Sequence, residues 1–462
     1  MSDLFSLLGL AARALEAQRY GLDVTGQNIS NVNTPGYTRR SVVLAEVPPY
    51  DRLSAGGGVN IEAVVAARTP FIDARLFQEQ PALGRHGAIL DGLAVVQTAL
   101  GPPGASLDAA LASFYNSFGA LTQDATSTTA RQQVIYTGQA LAKTFNELAE
   151  RFAVAQRDAD AEVRTSVDQV NGLASRVAAL NGAIAAADAN EVDALHDQQS
   201  VALKSLAGLI DIGVMTRQDG GVDVSIGNGR ALVVGNNTYP LTTTTSPPLG
   251  FASVVATGAD VPADITSEIT GGRLGGLIQL RDVLLPGYAD RLDRLAYGVA
   301  SDVNALHRSG FDLNGAQGTD FFVPLASQAG AARSMAVDAS IAADPSLVVA
   351  AAVPTAGNND IARAIAALQD APMTGTSTKP VDAWSELVYR VGADASSAAQ
   401  EQRSHHQVIE QLEALRNQIS GVSLDEEAAM LMKFQRAYEA NARFFGVANQ
   451  ALDVLMQMVR SS

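Results

Sequence analysis

Histidine is the side chain best suited to metal binding and to acid–base catalysis near neutral pH. The chain contains His86, His196, His307, His405 and His406. The last two are adjacent, so on a helix they point about 100° apart and cannot share a ligand face. Neither an H-x-x-x-H spacing nor an HExxH motif occurs. The spacing predicts ordinary surface or partly buried histidines, with no catalytic, cofactor-binding or metal-ligating residue.

The loop FDLNGAQGTDFF, residues 311–322, is a second candidate for cation binding. Asp312 and Asn314 lie two positions apart and Gly315 follows them, as in the first part of a calcium loop. An EF-hand loop also needs a third oxygen ligand before its glycine and a glutamate at the twelfth position, and both are missing. A turn held by Asx hydrogen bonds is the better interpretation.

Glycine-rich segments can cradle phosphates, and cysteines can supply nucleophiles or thiolate ligands. Glycine clusters occur at residues 56–58, at residues 227 and 229, and in GGRLGG at residues 271–276. No phosphate-loop lysine follows them, so they are predicted to form turns and helix starts. The chain has no cysteine, which excludes disulfides, thiolate metal sites and cysteine nucleophiles. No motif indicates an enzyme, and no cofactor is predicted.

Length and charge narrow the function classes further. A chain of 462 residues is long enough for about two to four domains. Its formal net charge of −16 argues against nucleic acid and anionic membrane surfaces as partners. Asp3 precedes the first apolar run, where a signal peptide carries basic residues, and no run reaches the ~18 apolar residues of a membrane helix. We therefore expect neither a cleaved signal peptide nor insertion into a membrane.

Both ends of the chain carry an apolar repeat of seven residues, which is typical of a coiled-coil seam. Ser423 and Glu426 form a predicted capping box at the start of the second repeat. Because the repeats lie at opposite ends, we predict helices that pair with each other and then contact other subunits. The predicted assembly interface consists of Leu4, Leu8, Leu15, Leu22 and Ile29 near the N-terminus, and of Leu424, Leu431, Phe434, Tyr438, Phe445, Leu452 and Leu455 near the C-terminus.

The segments between these ends differ in character. Residues 70–210 and 272–308 show helical patterns, whereas residues 211–271 contain β-rich runs separated by turn signals such as QDGG and GNG. Residues 311–380 give no clear assignment. The predicted fold is mainly α with a smaller β domain. Its expected parts are a coiled-coil-like terminal domain of residues 1–50 and 405–462, a long-helix middle domain of residues 51–210 and 272–404, and a β-rich inserted domain of residues 211–271.

The stretch SNVNTPGYTRR, residues 30–40, ends the first helical repeat. Pro35 and Gly36 suit the second and third positions of a type II turn, the third of which has a positive φ. Asparagines in the stretch can bond backbone groups left free at the helix end. We expect Arg39 and Arg40 to face acidic surfaces of neighbouring subunits. The predicted hinge motif comprises Asn31, Asn33, Thr34, Pro35, Gly36 and Tyr37.

This stretch, placed after an amphipathic N-terminal helix, resembles the signature of the bacterial flagellar axial proteins, the family of rod, hook and hook-associated subunits. The C-terminal FQRAYEANARFFGVANQALDVLMQM resembles the terminal helix of the same family. Three further segments are similar to the hook-associated subunit of the hook–filament junction. They are SGVSLDEEAA, GGRLGGLIQLRD and VNALHRSGFDLNG.

The resemblance implies a structural role outside the cell, as a homo-oligomeric ring in the flagellar axis. It implies type III export without a cleaved signal peptide, and contacts with the hook protein and with the second junction hook-associated protein. It also implies an export chaperone that holds the C-terminal helix. No nucleic-acid or membrane partner is expected, because of the net charge. Two alternatives remain: a hook or rod subunit, and an axial scaffold that carries a secreted enzyme domain within residues 311–380.

Overall fold

The computed structural model describes residues 2–48, 57–102, 104, 106–188, 191–246, 250–257 and 262–460. The fold is mainly α with smaller antiparallel sheets, so the predicted fold class is confirmed. The helices are α1 (Ser2–Ser30), α2 (Pro70–Leu100), α3 (Leu107–Leu121), α4 (Thr128–Ala186), α5 (Val192–Leu209), α6 (Gly272–Gln279), α7 (Leu285–Ser309), α8 (Ala331–Ser334), α9 (Ala339–Ala343), α10 (Asp360–Ala367), α11 (Pro380–Ser420) and α12 (Leu424–Arg460). No helix within the described ranges is both long enough and apolar enough to cross a membrane.

Three antiparallel sheets accompany the helices. The strands are β1 (Arg40–Glu46), β2 (Val59–Ala66), β3 (Ile212–Thr216), β4 (Val222–Ile226), β5 (Arg230–Val234), β6 (Asn237–Thr238), β7 (Leu241–Ser246), β8 (Phe251–Ala256) and β9 (Ala263–Asp264). β1 and β2 form a hairpin whose register shifts between Val43 and Leu44. β3–β6 and β7–β9 form two meanders in the segment predicted to be β-rich.

The largest core joins α2, α3, α4, α7, α10 and α11 to the segment that the sequence pattern left unassigned. Phe321 and Phe322 are fully buried there, and their rings lie 5.6 and 5.5 Å from that of Phe114. Asp312 Oδ1 accepts hydrogen bonds from the backbone N–H groups of Asn314 and Ala316, both at 2.8 Å. The interpretation of this loop as an Asx turn is therefore confirmed.

A second core lies between the C-terminal half of α4, α5, α6 and the two meanders. A buried ion pair joins these parts, because Arg281 NH1 donates to Asp160 Oδ1 at 2.7 Å and to the Ala252 carbonyl oxygen at 2.8 Å. Gly275 and Gly276 lie inside α6, where a side chain at Gly276 would collide with α2. The prediction of a helix start at residues 271–276 is confirmed, because α6 begins at Gly272, and Gly276 in addition permits close packing on α2.

His307 is completely buried, which corrects its prediction as a surface or partly buried histidine. Its Nε2 accepts a hydrogen bond from the Val349 N–H at 2.9 Å, so the proton sits on Nδ1, which donates to the Thr319 carbonyl oxygen at 2.6 Å. Burial lowers the pKa of His307 to about 4. The neutral ring thus holds two separate parts of the 311–380 segment.

We expect the stability of this core to fall when the pH is lowered from about 6.5 towards 4. In that window the unfolded chain binds a proton at His307 and the folded chain does not, so acid favours unfolding. At 1.36 kcal/mol per pKa unit, the loss in free energy of unfolding reaches about 2–3 kcal/mol. Urea unfolding at pH 7 and pH 4.5 measures it. His307→Gln is the control, and an equal pH dependence in both chains would contradict the assignment.

Candidate functional site

The two terminal helices pack against each other along one antiparallel seam. Asn28 of α1 contacts Glu427 of α12, and Gly21 of α1 lies against the ring of Phe434. From the first contact to the second, the chain position falls by seven residues on α1 and rises by seven on α12, which is one heptad in opposite directions. A Cβ at Gly21 would lie 2.6 Å from Phe434 Cε1, so only glycine leaves room for this ring. The predicted pairing of the terminal helices is present within a single chain.

Small residues, rather than the predicted leucines, form the innermost face of α1. The buried positions include Ala11, Ala14, Ala17, Val24, Thr25 and Asn28. The predicted Leu8, Leu15, Leu22 and Ile29 are only partly buried, and the side chain of Leu4 lies outside the described residues. Small side chains on this face let neighbouring elements approach α1 closely, and the larger leucines lie beside the buried face.

The predicted positions on α12 are divided in the same way. Leu431, Phe434 and Leu452 are partly buried, whereas Leu424, Tyr438, Phe445 and Leu455 are exposed. Further apolar side chains on this helix are exposed too: Met432, Phe444, Val447, Val454, Met456 and Met458. A single chain therefore leaves an apolar surface open along α12, and exposed apolar patches of this kind are typical of protein–protein contact sites.

The hinge motif follows α1 directly. The Tyr37 N–H donates to the Thr34 carbonyl oxygen at 3.1 Å and Gly36 has φ = +82°, so the type II turn is confirmed. A side chain at Gly36 would also collide with Val201 of α5. Asn31 Nδ2 donates to the Gln27 carbonyl oxygen at 2.9 Å and thereby serves the end of α1. Asn33, Thr34 and Pro35 are exposed.

Asn28 connects the helix, the strand after the turn, and α12. Its side chain is 1% exposed, and both the amide nitrogen and the carbonyl oxygen make two hydrogen bonds. Nδ2 donates to the Arg40 carbonyl oxygen at 2.8 Å and to Glu427 Oε2 at 3.0 Å. Oδ1 accepts from Tyr37 Oη at 2.9 Å and from the Arg40 N–H at 3.0 Å. The full hydrogen-bonding capacity of a carboxamide is therefore used in a buried position.

Arg39 extends this network to the start of α12. Its Nε donates to Glu427 Oε1 and its NH1 to Glu426 Oε2, both at 2.7 Å. Its backbone N–H donates to the Ser420 carbonyl oxygen at 2.8 Å, at the end of α11. Ser423 Oγ accepts from the Glu426 N–H at 3.5 Å, but the Glu426 carboxylate is directed to Arg39. The predicted capping box is therefore incomplete, because the Glu426 carboxylate accepts from Arg39 rather than from the Ser423 N–H.

A second carboxylate, that of Asp197 in α5, holds the other side of the hinge. Thr38 Oγ1 and Arg68 NH2 both donate to Asp197 Oδ1 at 2.9 Å, and Arg40 NH2 lies 3.7 Å from Oδ2. Burial raises the pKa of Asp197, while Arg68 acts in the opposite direction. The Arg40 guanidinium also lies 5.2 Å from the centre of the Tyr37 ring. The hinge is thus attached to the body of the protein as well as to α12.

The expectation that Arg39 and Arg40 face acidic surfaces of other subunits is wrong. Their acidic partners, Glu426, Glu427 and Asp197, belong to the same chain. The glutamates were visible in the sequence as acidic residues of the first turn of α12, although nothing marked them as partners of the hinge. Asp197 lay in a helical pattern without any distinguishing signal, since its contacts depend on the tertiary fold.

Known protein families match the chain in three places. The family profile described as the flagellar hook-associated protein FlgK helical domain matches residues 93–322. Profiles described as the flagella basal body rod protein and the flagellar basal body rod FlgEFG protein C-terminal region match residues 8–38 and 416–458, which hold the hinge and the paired helices. The chain belongs to the flagellar hook-associated protein 1 family.

Members of the hook-associated protein 1 family resemble the chain over nearly its full length. The protein of Bacillus subtilis (strain 168) is 28% identical, and the alignment covers 98% of both chains. That of Escherichia coli (strain K12) is 24% identical over 98% of this chain and 100% of the relative. The flagellar hook junction protein FlgK from Burkholderia pseudomallei has the same fold, with a TM-score of 0.68 at 16% identity over 74% of this chain and 99% of that one.

Replacing Asn28 with Ala should loosen the hinge. The substitution removes a hydrogen-bond partner from the Arg40 N–H, from the Arg40 carbonyl oxygen and from Glu427 Oε2. Leaving such groups unsatisfied should lower the stability of the hinge by about 1–3 kcal/mol. Amide hydrogen exchange of Arg40 should then accelerate by about 10- to 100-fold. Asn31→Ala, which removes a bond within the helix end, should leave Arg40 unchanged. Unaltered Arg40 exchange in Asn28→Ala would show that the network does not hold the hinge.

Proposed function

We propose that the chain is the subunit of the hook–filament junction, and that it assembles into a ring through its terminal helices. The paired helices with their exposed apolar side chains carry this proposal. They occur in a chain whose relatives are named for association with the hook. A junction must bind one structure below and another above, and the two long paired helices offer a surface for this.

The energetics of the helix pair support assembly with other subunits. Fully burying one large apolar side chain contributes roughly 1.5–3 kcal/mol. Phe444, Val447, Val454 and Met458 are 42–65% exposed in the single chain, so this contribution is largely unused. Neighbouring subunits that cover these side chains and the partly buried leucines of α1 would recover it. The network around Asn28 keeps each helix pair in register while this happens.

We further propose three structural parts, as the sequence suggested. Residues 1–50 and 405–462 form the axial assembly domain, residues 51–210 and 272–404 the helical middle domain, and residues 211–271 a β-rich insertion. In support, α1 packs on α12, and the meanders fall inside the last range. The hinge then separates the assembly helices from the remaining body.

The partners follow from this role. We propose that the hook protein binds one side of the ring and the second junction hook-associated protein the other. Subunits would leave the cell unfolded by type III export without a cleaved signal peptide. An export chaperone that covers the apolar face of α12 beforehand would prevent premature association. The absence of cysteine from the chain is compatible with this route.

Two alternatives are less well supported. A hook or rod subunit would share the terminal helices, but the profile of the hook-associated helical domain covers residues 93–322. A secreted enzyme domain was conceivable only in residues 311–380. That segment supplies Phe321, Phe322 and Val349 to the main core, so it belongs to the packing of the helical body.

Localisation tests the proposed junction directly. Immunogold electron microscopy of intact flagella should place the label in one narrow band between hook and filament. A strain that lacks the gene serves as the control for antibody specificity. Label distributed along the hook or the rod would support the alternative subunit types and contradict the junction.

Replacing Leu452 with Asp should abolish incorporation into the flagellum and leave the middle of the chain folded. The substitution places a charge in the apolar repeat of α12, where burial against a neighbour would require its desolvation. Filamentation of a complemented deletion strain and circular dichroism of the purified chain measure the two effects. Gln450→Asp adds the same charge at an exposed position of the same helix and should assemble normally. Normal filaments with Leu452→Asp would disprove the interface.

A further inference from the structure

A group of metal-ligating side chains lies away from the hinge, between α2 and α11. The two helices run antiparallel, since Asp73 pairs with Arg416 at 3.2 Å while His86 stacks on His405 with ring centres 5.9 Å apart. Glu401 completes the group. One ligand atom each from His86, Glu401 and His405 lies within 4.8 Å of the other two.

The spacing on α11 explains how two of these residues meet. Glu401 and His405 are four positions apart, so they lie on one face of the helix, one turn after the other. The third residue comes from the facing helix. The spacing of the histidines along the sequence therefore predicted no metal site, because only the fold brings these ligands together.

A fourth residue orients one of the imidazoles. His405 Nδ1 lies 2.9 Å from Glu79 Oε2 on α2. An ionised carboxylate can only accept, so Nδ1 donates to it, and Nε2 is the ring nitrogen left for a metal ion. Metal-ligating histidines typically donate their other N–H to a carboxylate in this manner, which orients the ring and raises its basicity as a ligand. An accidental cluster of polar side chains does not require such a partner.

We propose that His86, Glu401 and His405 bind one divalent transition-metal ion, for which Zn²⁺ is well suited. Imidazole nitrogen and carboxylate oxygen are both zinc ligands, and a water molecule would complete four-fold coordination. Calcium and magnesium prefer sites made of oxygen ligands alone. Two imidazoles therefore favour Zn²⁺, Ni²⁺ or Cu²⁺ over these ions.

Only small movements are needed to close the site. Ligand atoms around a tetrahedral zinc ion lie about 3.3 Å apart, given bonds of 2.0–2.1 Å. From separations of up to 4.8 Å, side-chain rotation can reach this geometry. Glu401 is exposed and His86 and His405 are partly buried, so the ion can enter from solvent.

The ion would act as a clip between two helices that are distant in sequence. Glu79 and His405 are separated by 326 residues. Nearby, Ile72, Leu76 and Ile409 form a small buried core of the α2–α11 pair, and the partly buried Leu83 and Leu412 pack against it. A metal ion that binds the folded chain but not the unfolded chain stabilises the folded state by mass action. The site would strengthen the packing where the helical body approaches the hinge.

Isothermal titration of the full, untagged chain with ZnCl₂ tests the proposal, with MgCl₂ in parallel. We expect one Zn²⁺ per chain, a higher unfolding temperature with Zn²⁺, and no effect of Mg²⁺. His86→Gln and His405→Gln should each weaken binding by at least tenfold. Glu79→Gln, which removes only the orienting carboxylate, should weaken it by about 10- to 100-fold. His406→Gln is the matched control. His406 pairs instead with Glu410 at 3.3 Å, so this variant should bind Zn²⁺ as tightly as the natural chain.

A second measurement on the natural chain avoids variants that fail to fold. Zn²⁺ should protect His86 and His405, but not His406, from modification by diethylpyrocarbonate. The proposal is overturned if saturable binding of one Zn²⁺ is absent. It is also overturned if His86→Gln and His405→Gln bind as tightly as the natural chain, or if Zn²⁺ protects His406 as much as His405.

Discussion

The placement of both terminal helices depends on one buried carboxamide. Asn28 lies at the end of α1, where an unsatisfied polar group would be costly, and its hydrogen bonds reach Tyr37, Arg40 and Glu427. Because a carboxamide has donors on one side and acceptors on the other, these partners fit it in one arrangement. That arrangement sets the direction in which the chain leaves α1 and the register of α12. The contact between Gly21 and Phe434, one heptad away, follows from the same register.

Within the helix pair, small residues are buried and many of the large apolar residues stay open. Alanine and threonine are buried on α1, and Gly21 lets the Phe434 ring of α12 approach closely. Leucine on α1 and the larger apolar residues on α12 remain at the sides, partly or largely open. A chain that used its large side chains for its own seam would keep few for other subunits. The division thus agrees with membership of a family that builds the flagellar axis.

Local signals were sufficient for much of the fold. The helical pattern that continues through α4 predicted a long helix, and the alternating pattern after residue 211 predicted strands. The Pro-Gly pair of the hinge predicted the tight turn that the structure contains. Residues 311–380 could not be assigned, because no period runs through them. His307 holds the segment through backbone groups of Thr319 and Val349, and the aromatic core encloses Phe321. Such contacts join residues that are distant in sequence, so local patterns do not reveal them.

The sequence by itself determined that the ends are helices with apolar repeats, and that a tight turn follows the first. These properties depend on residue type and on spacing within one turn or one heptad. Only the tertiary structure decided which face of each helix is innermost, and that Arg39 and Arg40 bind carboxylates of their own chain. It also brought His86 to Glu401 and His405. These outcomes depend on the three-dimensional register between helices distant in sequence, which no spacing along the chain records.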